Sequence, residues 1–211
     1  RELARKNDLL EEFARVVSHV LRNPINLITG YVELAREAED PTEHLDAIRT
    51  AADRMDRLIE NLLALAQEGR VVGDPVPVSL QTVAAKSWSA LETAGADLTV
   101  DGTEPTVMAD PDRLQQLFEN LFANAIEHGG DAVSVNVGPL DGGFYVEDDG
   151  RGFPDSSPDS LFDLGHSSND GGTGIGLAIV RAIADAHGWT VTATGSSAGG
   201  ARFEFSQVSE A

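Results

Sequence analysis

The chain has 211 residues, 41% of them hydrophobic, and no apolar run approaches the roughly 18 residues of a membrane span, so we expect no direct membrane insertion of this segment. Cysteine is absent, which excludes a disulfide framework and a thiolate metal site. With 35 acidic against 15 basic side chains the net charge is −20, which repels phosphate backbones and excludes nucleic acid as an expected partner.

Residues 1–68 are predicted to form two helices, because apolar side chains recur at alternating spacings of three and four. The first series is Leu10, Phe13, Val17, Val20, Pro24, Leu27, Tyr31 and Leu34, and the second is Leu45, Ile48, Ala52, Met55, Ile59, Leu62 and Ala66. This heptad seam is narrower than the face of a helix on a globular core. A lone helical hairpin buries too little, so we expect a homodimer that forms a four-helix bundle.

The boundaries of the second helix are marked by local signals. Asp40 suits the N-cap, Pro41 the first helical position and Glu43 the third, and Gly69 suits the end of the helix. The Gly/Pro-rich residues 69–77 are predicted to be a linker. The second domain is then expected to cover residues 78–211.

Beyond the linker the pattern is that of a mixed α/β domain. We predict helices at about 80–94, after Asp110-Pro111 and at about 174–187, and strands near 97–100, 106–109, 132–137, 144–148, 190–195 and 201–206. The Gly/Ser/Asp-rich loop 149–173 is long for a compact domain, and loops of that length are often active-site lids. The fold class predicted for the chain is a helical hairpin followed by an α/β sandwich.

Asp148-Asp149-Gly150-Arg151-Gly152 follows a predicted strand. A carboxylate there can accept the exocyclic amine of adenine, and the glycines let the backbone approach a flat ligand. Alone, the run is more typical of a surface turn. Gly171-Gly172-Thr173-Gly174-Ile175-Gly176 opens a helix, where exposed N–H groups and the helix dipole favour phosphate. It lacks the Lys-Ser/Thr of a P-loop and the preceding strand of a dinucleotide fingerprint.

Asn120 and Asn124 lie four residues apart, on one face of a predicted helix. Their amide oxygens are acceptable ligands for Mg²⁺, which usually keeps waters and bridges phosphates. Two exposed asparagines on a helix surface are the alternative interpretation.

In order and spacing, NLFANAIEHG, DDGRGF and GGTGIGLAIV resemble the N, G1 and G2 boxes of the GHKL ATPases, over residues 78–206. The resemblance implies that Asn120 and Asn124 hold Mg²⁺ and that Asp148 reads the adenine of ATP or ADP. The resemblance also implies an ATP lid between the G1 and G2 boxes, with Leu161-Phe162 as its F box. It assigns these residues to the nucleotide: Asp148, Gly150, Gly152, Gly172, Thr173, Gly174 and Gly176.

Residues 13–24, FARVVSHVLRNP, resemble the H box of the two-component sensor histidine kinases at seven of eight motif positions. The resemblance implies a HisKA-type dimerisation domain before a HATPase_c domain, with His19 as phosphoacceptor. Asn23 occupies the place of the polar residue that orients water for dephosphorylation of a response regulator. The implied function is ATP-dependent autophosphorylation of His19 and phosphotransfer to an aspartate of a response regulator partner.

Two positions depart from the family pattern. The family has an acid after the histidine, where this chain has Val20, so autophosphorylation could be reduced; alternatively Val20 continues the seam, or is a deliberate substitution. A phosphatase-dominant kinase and a nucleotide-dependent scaffold are therefore alternative functions. Glu127-His128 replaces the usual Lys and aromatic, so the charge that neutralises phosphate must come from elsewhere, such as Arg151 or His166.

Two further expectations concern the setting of the protein. The chain begins at Arg1 rather than Met, so we expect a fragment of a longer cytoplasmic or membrane-anchored protein, with this part in the cytoplasm. Acidic residues are spread along the chain and Lys6 and Lys86 are its lysines, which favours a halophilic source over an ordinary acidic protein.

Overall fold

The computed structural model of the chain describes residues 2–38, 40–66, 75–91, 93, 95–102, 105–130, 132–153, 158–162 and 174–209. For residues 2–16, 19, 20, 54, 57, 58, 60–66, 158 and 159 it describes the backbone alone. Among the described residues, no helix combines the length and the apolar composition that a membrane span requires.

The N-terminal part is a hairpin of two long helices, α1 (Glu2–Glu37) and α2 (Thr42–Ala66), which pack against each other. The carboxylate of Asp40 accepts the backbone N–H of Thr42 at 3.0 Å and its hydroxyl at 2.6 Å, which satisfies a free donor at the start of α2. The hydroxyl bond and then the backbone bond lower the pKa of Asp40 below its ordinary value. The prediction of Asp40 as the start signal is confirmed, but α2 begins at Thr42, so Pro41, predicted at the first helical position, precedes the helix.

Large apolar side chains remain exposed on this hairpin. Leu27, Leu34, Leu45 and Ile59 are 44–55% exposed, and all four belong to the predicted seam. Ile25 and Val32 are also exposed, outside the seam. Pro24 and Ala51 are buried within the single chain. The hairpin therefore leaves part of its apolar seam uncovered, which is the pattern expected of helices that pack against a second pair.

The C-terminal part contains two sheets. A two-stranded antiparallel sheet pairs β1 (Val76–Ser79) with β3 (Thr106–Ala109). A five-stranded sheet has the order β2-β4-β5-β7-β6, in which β2 and β4 are parallel and the other neighbours antiparallel. Its strands are β2 (Asp97–Val100), β4 (Ser134–Leu140), β5 (Gly143–Asp148), β6 (Thr190–Gly195) and β7 (Ala201–Ser206).

The first strand corrects the sequence analysis, which assigned Val76 and Pro77 to the linker. Pro75 and Pro77 look like loop residues in the sequence, but proline is tolerated in an edge strand, where one side of the backbone needs no partner. Among the described strands β1 pairs with β3 alone, and Val78 points into the core with 7% of its surface exposed.

In the part of the domain that the structure describes, three helices accompany the sheets: α3 (Leu80–Ser89), α4 (Pro111–Gly129) and α5 (Gly176–Ala186), with a 3₁₀ turn at Pro158–Phe162. The predicted end of α3 at about residue 94 is wrong. The chain leaves the helix at Ala90, and a turn follows in which Ala96 N–H donates to the carbonyl of Thr93 at 2.7 Å and Gly95 has a φ of 88°.

The core places α4 beside α5 over one face of the five-stranded sheet. Phe118 and Phe122 of α4 stack with ring centroids 5.4 Å apart, and Phe118 meets Phe144 of β5 edge to face at 6.0 Å. Phe144 stacks on Phe205 of β7 at 4.6 Å. All four rings are fully buried. This aromatic column fixes α4, which carries the two predicted metal ligands, against the strand that ends in Asp148.

The C-terminal end of α5 is joined to the N-terminal end of α4 by His187. Its Nε2 accepts the backbone N–H of Asp110 at 3.0 Å, and its Nδ1 donates to the carbonyl of Ile183 at 2.8 Å. In a capping box, Glu or Gln at the third helical position would satisfy that N–H, but Arg113 occupies the position here. The imidazole therefore completes the cap of α4 from a neighbouring helix.

We expect this bond to make stability depend on pH. Burial, which disfavours the charged ring, lowers the pKa of His187 below its ordinary value of 6.5. Protonation of Nε2 would also remove the acceptor of the Asp110 N–H. The stabilisation is present above pH 6.5 and is lost as the pH falls from 6.5 through the lower folded pKa. His187→Ala should lower the free energy of unfolding by about 1–3 kcal/mol at pH 8 and flatten its pH dependence below 6.5. Denaturant unfolding at several pH values measures both; an unchanged slope in the variant would contradict the assignment.

Candidate nucleotide-binding site

Asp148 ends β5 and is held in place by backbone donors. Its Oδ1 accepts the N–H of Gly150 at 2.9 Å and the N–H of Ala201 at 3.1 Å. Burial raises the pKa of Asp148 above its ordinary value of 3.8, and the bonds from Ala201 and Gly150 oppose that effect. Because Oδ1 is engaged by both donors, Oδ2 is the oxygen that can turn to a ligand. The geometry suits a fixed acceptor for a single N–H group.

The glycines around Asp148 allow close backbone packing. A Cβ on Gly150 would lie 2.5 Å from the Cα of Gly129, the last residue of α4. Gly152 has a φ of 67°, and a Cβ there would lie 2.7 Å from the carbonyl oxygen of Gly199. The predicted G1 box therefore packs against the end of the helix that carries the N box.

Asn120 and Asn124 both face the start of α5. The side-chain amide of Asn120 donates to the carbonyl of Gln116 at 2.8 Å, so its Oδ1 is turned away from its own helix. A Cβ on Gly176 would lie 3.3 Å from Oδ1 of Asn120 and 3.4 Å from Oδ1 of Asn124. Two amide oxygens thus converge where the glycine-rich segment enters α5. Oxygen donors of this kind fit Mg²⁺, with water and phosphate completing the shell.

The start of α5 has the features of an anion-binding site. Ile175 is the N-cap residue and has no side-chain acceptor, unlike the Ser, Thr, Asp or Asn usual at that position. The first N–H groups of the helix therefore lack a side-chain cap from that residue, and Gly174 before it adopts a φ of 63°. A helix start of this kind binds phosphate. The predicted phosphate ligands Gly172 and Thr173 lie outside the described residues.

The predicted F box is anchored on the domain. Leu161 and Phe162, in the 3₁₀ turn, are each 6% exposed. The ring of Phe162 meets Phe203 of β7 at 6.3 Å, and the guanidinium carbon of Arg181 in α5 lies 5.4 Å from its centroid. This turn is thus packed between α5 and β7. His166 and the rest of the predicted lid from 163 to 173 lie outside the described residues.

Two family profiles match the chain. The profile described as histidine kinase-, DNA gyrase B- and HSP90-like ATPase matches residues 109–210, and that of the His Kinase A (phospho-acceptor) domain matches residues 9–70. The probable sensor histidine kinase TcrY of Mycobacterium tuberculosis is 32% identical over 89% of this chain and 43% of its own length. The chain belongs to the two-component sensor histidine kinases. It spans less than half the length of curated relatives such as TcrY.

Solved structures of histidine kinases share the fold. Full-length ShkA in complex with AMPPNP has a TM-score of 0.64 and 25% identity, covering 95% of this chain and 46% of that one. Histidine kinase ThkA in complex with response regulator protein TrrA has a TM-score of 0.71 and 20% identity, covering 96% and 62%. The prediction of a helical hairpin followed by a GHKL-type α/β domain is confirmed.

The kinase carries its predicted phosphoacceptor outside this site. His19 lies in α1, where the structure describes its backbone, and Asn23 one turn later is exposed. Leu21, between them, packs against the hydrophobic core of the α/β domain, and α2 contacts α5. The H box therefore lies on a helix that touches the ATPase domain.

The sequence analysis missed the part of the site that comes from the β6–β7 hairpin. Ser196 donates its hydroxyl to the carbonyl of Asp148 at 2.7 Å, and Gly200 packs directly on that residue. In the sequence, Gly199 and Gly200 simply connect the two predicted strands near 190–195 and 201–206. The available signal was this glycine pair itself. A turn between two strands does not require two glycines, so the pair indicates a close approach of other backbone.

Proposed function

We propose that this chain is the catalytic core of a sensor histidine kinase, which uses ATP to phosphorylate His19 and passes the phosphoryl group to an aspartate of a response regulator. One observation carries the proposal. A partly buried, oriented carboxylate at Asp148, two amide oxygens at Asn120 and Asn124 and the start of α5 at Gly176 lie in one site of a chain that also has an H box.

Each group in the site has a defined task. The carboxylate of Asp148 accepts the exocyclic amine of adenine, which guanine cannot reproduce. The backbone from Gly174 to the first turn of α5 binds phosphate oxygens, since a glycine-rich helix start presents N–H groups and positive potential to an anion. Asn120 and Asn124 would hold Mg²⁺, which neutralises charge on the phosphates. The AMPPNP in the ShkA complex supports an adenine nucleotide as the ligand.

The reacting groups belong to the helical hairpin. A neutral imidazole nitrogen of His19 attacks the γ-phosphorus of ATP, the bond to the β,γ-bridging oxygen breaks, and ADP leaves. An aspartate of the response regulator then takes the phosphoryl group from the histidine. Asn23 is exposed one turn after His19. It orients the water that removes the phosphoryl group from the response regulator. The ThkA–TrrA complex supports a response regulator as the partner.

We further propose that the active form is a homodimer through residues 1–68. The exposed seam residues Leu27, Leu34, Leu45 and Ile59 support it, because a second hairpin would cover them. We place the start of the ATP-binding domain at β1, which shortens the proposed linker from 69–77 to 69–75. Salt-rich cytoplasm remains our proposal for the setting, supported by the net charge of −20.

Labelling with γ-³²P-ATP tests the function. The chain should acquire label that is stable to alkali and released by acid, as expected of phosphohistidine, and His19→Gln should abolish it. His44→Gln is the matched control, because His44 lies in the same hairpin but outside the H box, and it should retain labelling. Assays run in low and in molar KCl test the proposed salt adaptation. Label that persists in His19→Gln would overturn the phosphoacceptor assignment.

A further inference from the structure

The hairpin between β6 and β7 is hydrogen-bonded to the backbone of Asp148. The hydroxyl of Ser196 donates to the carbonyl of Asp148 at 2.7 Å and accepts the N–H of Gly200 at 3.0 Å. The hairpin is closed by the N–H of Ser196, which donates to the carbonyl of Gly200 at 2.8 Å. One hydroxyl thus links the end of β5 to both sides of the turn.

The same hairpin fixes the side chain of Asp148. The N–H of Ala201 donates to Oδ1 at 3.1 Å, opposite the N–H of Gly150 in the G1 loop. Gly200 is buried, and a Cβ there would overlap both the carbonyl oxygen and Oδ1 of Asp148. Oδ1 of the carboxylate is therefore fixed from two sides, by the G1 loop and by the hairpin.

This fixation matters because the charged side chain would otherwise rotate out of the site. Burial disfavours its charged form, so an unrestrained side chain would rotate toward water. A single hydrogen bond to adenine discriminates only if the acceptor is already aimed, since ordering it on binding would consume part of the interaction. The two backbone donors supply that order before a ligand arrives.

We propose that Ser196 is a positioning residue for adenine recognition, which holds the hairpin against Asp148 so that Oδ2 is aimed at the exocyclic amine. This inference rests on the proposed function. Ser196 does not touch the ligand. It acts through the carbonyl of Asp148 and through Gly200, which together set the distance between the Ala201 N–H and Oδ1.

The test pairs a change in the protein with a change in the ligand. Dissociation constants of ADP and of purine riboside diphosphate, which lacks the exocyclic amine, are measured by calorimetry on the full chain. Ser196→Ala should weaken ADP about threefold to tenfold, the value of one hydrogen bond, and should change the purine analogue less than twofold. Ser196→Thr keeps the hydroxyl and should restore most of the ADP affinity. Ser197→Ala, an exposed serine in the same turn, should match the parent for both ligands.

Each other outcome overturns a specific statement. Equal weakening of both ligands by Ser196→Ala would give Ser196 a general role in folding, as would a fall in Tm that Ser196→Thr does not correct. If Ser196→Ala leaves the affinity for both ligands unchanged, Ser196 is not a positioning residue of the site. If the parent chain binds ADP no better than the analogue, Asp148 does not recognise the exocyclic amine. Ser196 then has no recognition contact to position. If the parent binds neither, the proposed function fails together with this inference.

Discussion

Asp148→Asn should weaken ADP binding about 10–100-fold and leave the melting temperature unchanged or higher. The loss corresponds to a hydrogen bond between a charged acceptor and the exocyclic amine, which is worth more than a neutral one. The asparagine Oδ1 can still accept the N–H groups of Gly150 and Ala201, so the loop around it should keep its conformation. Its amide NH₂, placed where Oδ2 was, would face the amine as a donor.

Asp148→Asn should weaken binding but should not lower stability, because the folded protein disfavours the charged form of the carboxylate. Burial raises the folded pKa of Asp148 above 3.8, so the unfolded chain releases that proton more readily. The contribution of this group to stability is highest below pH 3.8 and falls as the pH rises through the folded pKa. At neutral pH the substitution removes that penalty. The Tm difference between variant and parent should therefore narrow as the pH is lowered.

A neighbouring carboxylate provides the control. Asp149 is exposed and its Oδ1 accepts the N–H of Ser134 at 2.7 Å, a bond that Asp149→Asn can keep. That variant should bind ADP like the parent. Calorimetry with ADP and GDP and thermal unfolding in the presence and absence of nucleotide measure both quantities. Equal affinity of the parent for ADP and GDP would contradict the adenine role, and a marked fall in Tm for Asp148→Asn would contradict the stability argument.

The sequence predicted the elements whose ends carry local signals. Asp110-Pro111 announces α4, and Asp110 indeed caps it, accepting the N–H groups of Asp112 and Arg113. The helix predicted to end at about residue 187 ends at Ala186, and Gly188 follows with a φ of 74°. The strands β2 to β7 were placed to within about three residues, because their apolar alternation is bounded by Gly, Asp and Pro. Such signals act over a few residues, so they can be recognised without the fold.

The missing parts depend on partners distant in the chain. β1 is a strand because β3, about thirty residues away, pairs with it. Pro77 within the strand and Pro75 just before it hid that from local analysis. Ser196 bonds to a residue 48 positions earlier, and His187 to one 77 positions earlier. The order of the three boxes predicted which residues meet at the site. The residues that hold Asp148 and α4 in place could be identified only once the sheet order was known.

Val20 is the position where the largest gain of activity is expected. The histidine kinases have an acid after the phosphoacceptor, and a carboxylate there can take or orient the imidazole proton as His19 attacks ATP. Valine offers neither a lone pair nor a charge, and no change of pH can supply one. We therefore expect slow labelling of the chain as it stands, and an increase of about 10–10³-fold for Val20→Asp or Val20→Glu. The increase should fall short of the full range for general bases, because the other seven motif positions of the H box match the family.

Packing predicts a different result for the same substitutions. Val20 continues the apolar seam from Val17 to Pro24, and Pro24 is buried. If Val20 mainly packs in the bundle, an acid there should lower the free energy of unfolding by about 1–3 kcal/mol, the value for burying an unpaired polar group, and labelling should not increase. Val20→Asn separates the two effects, because it matches aspartate in shape and polarity but cannot accept a proton as a base.

Labelling rate and melting temperature, measured on the parent, Val20→Asp and Val20→Asn, then distinguish the two roles. A base at position 20 predicts faster labelling in the aspartate variant alone, whatever both substitutions do to the Tm. A packing residue predicts a lower Tm in both variants and no gain in either. In the proposed mechanism Asn23 orients water and does not contact the imidazole proton, so dephosphorylation of a response regulator should be the same in all three proteins. A gain shared equally by aspartate and asparagine would show that polarity beside His19, and not a proton acceptor, is what the valine lacks.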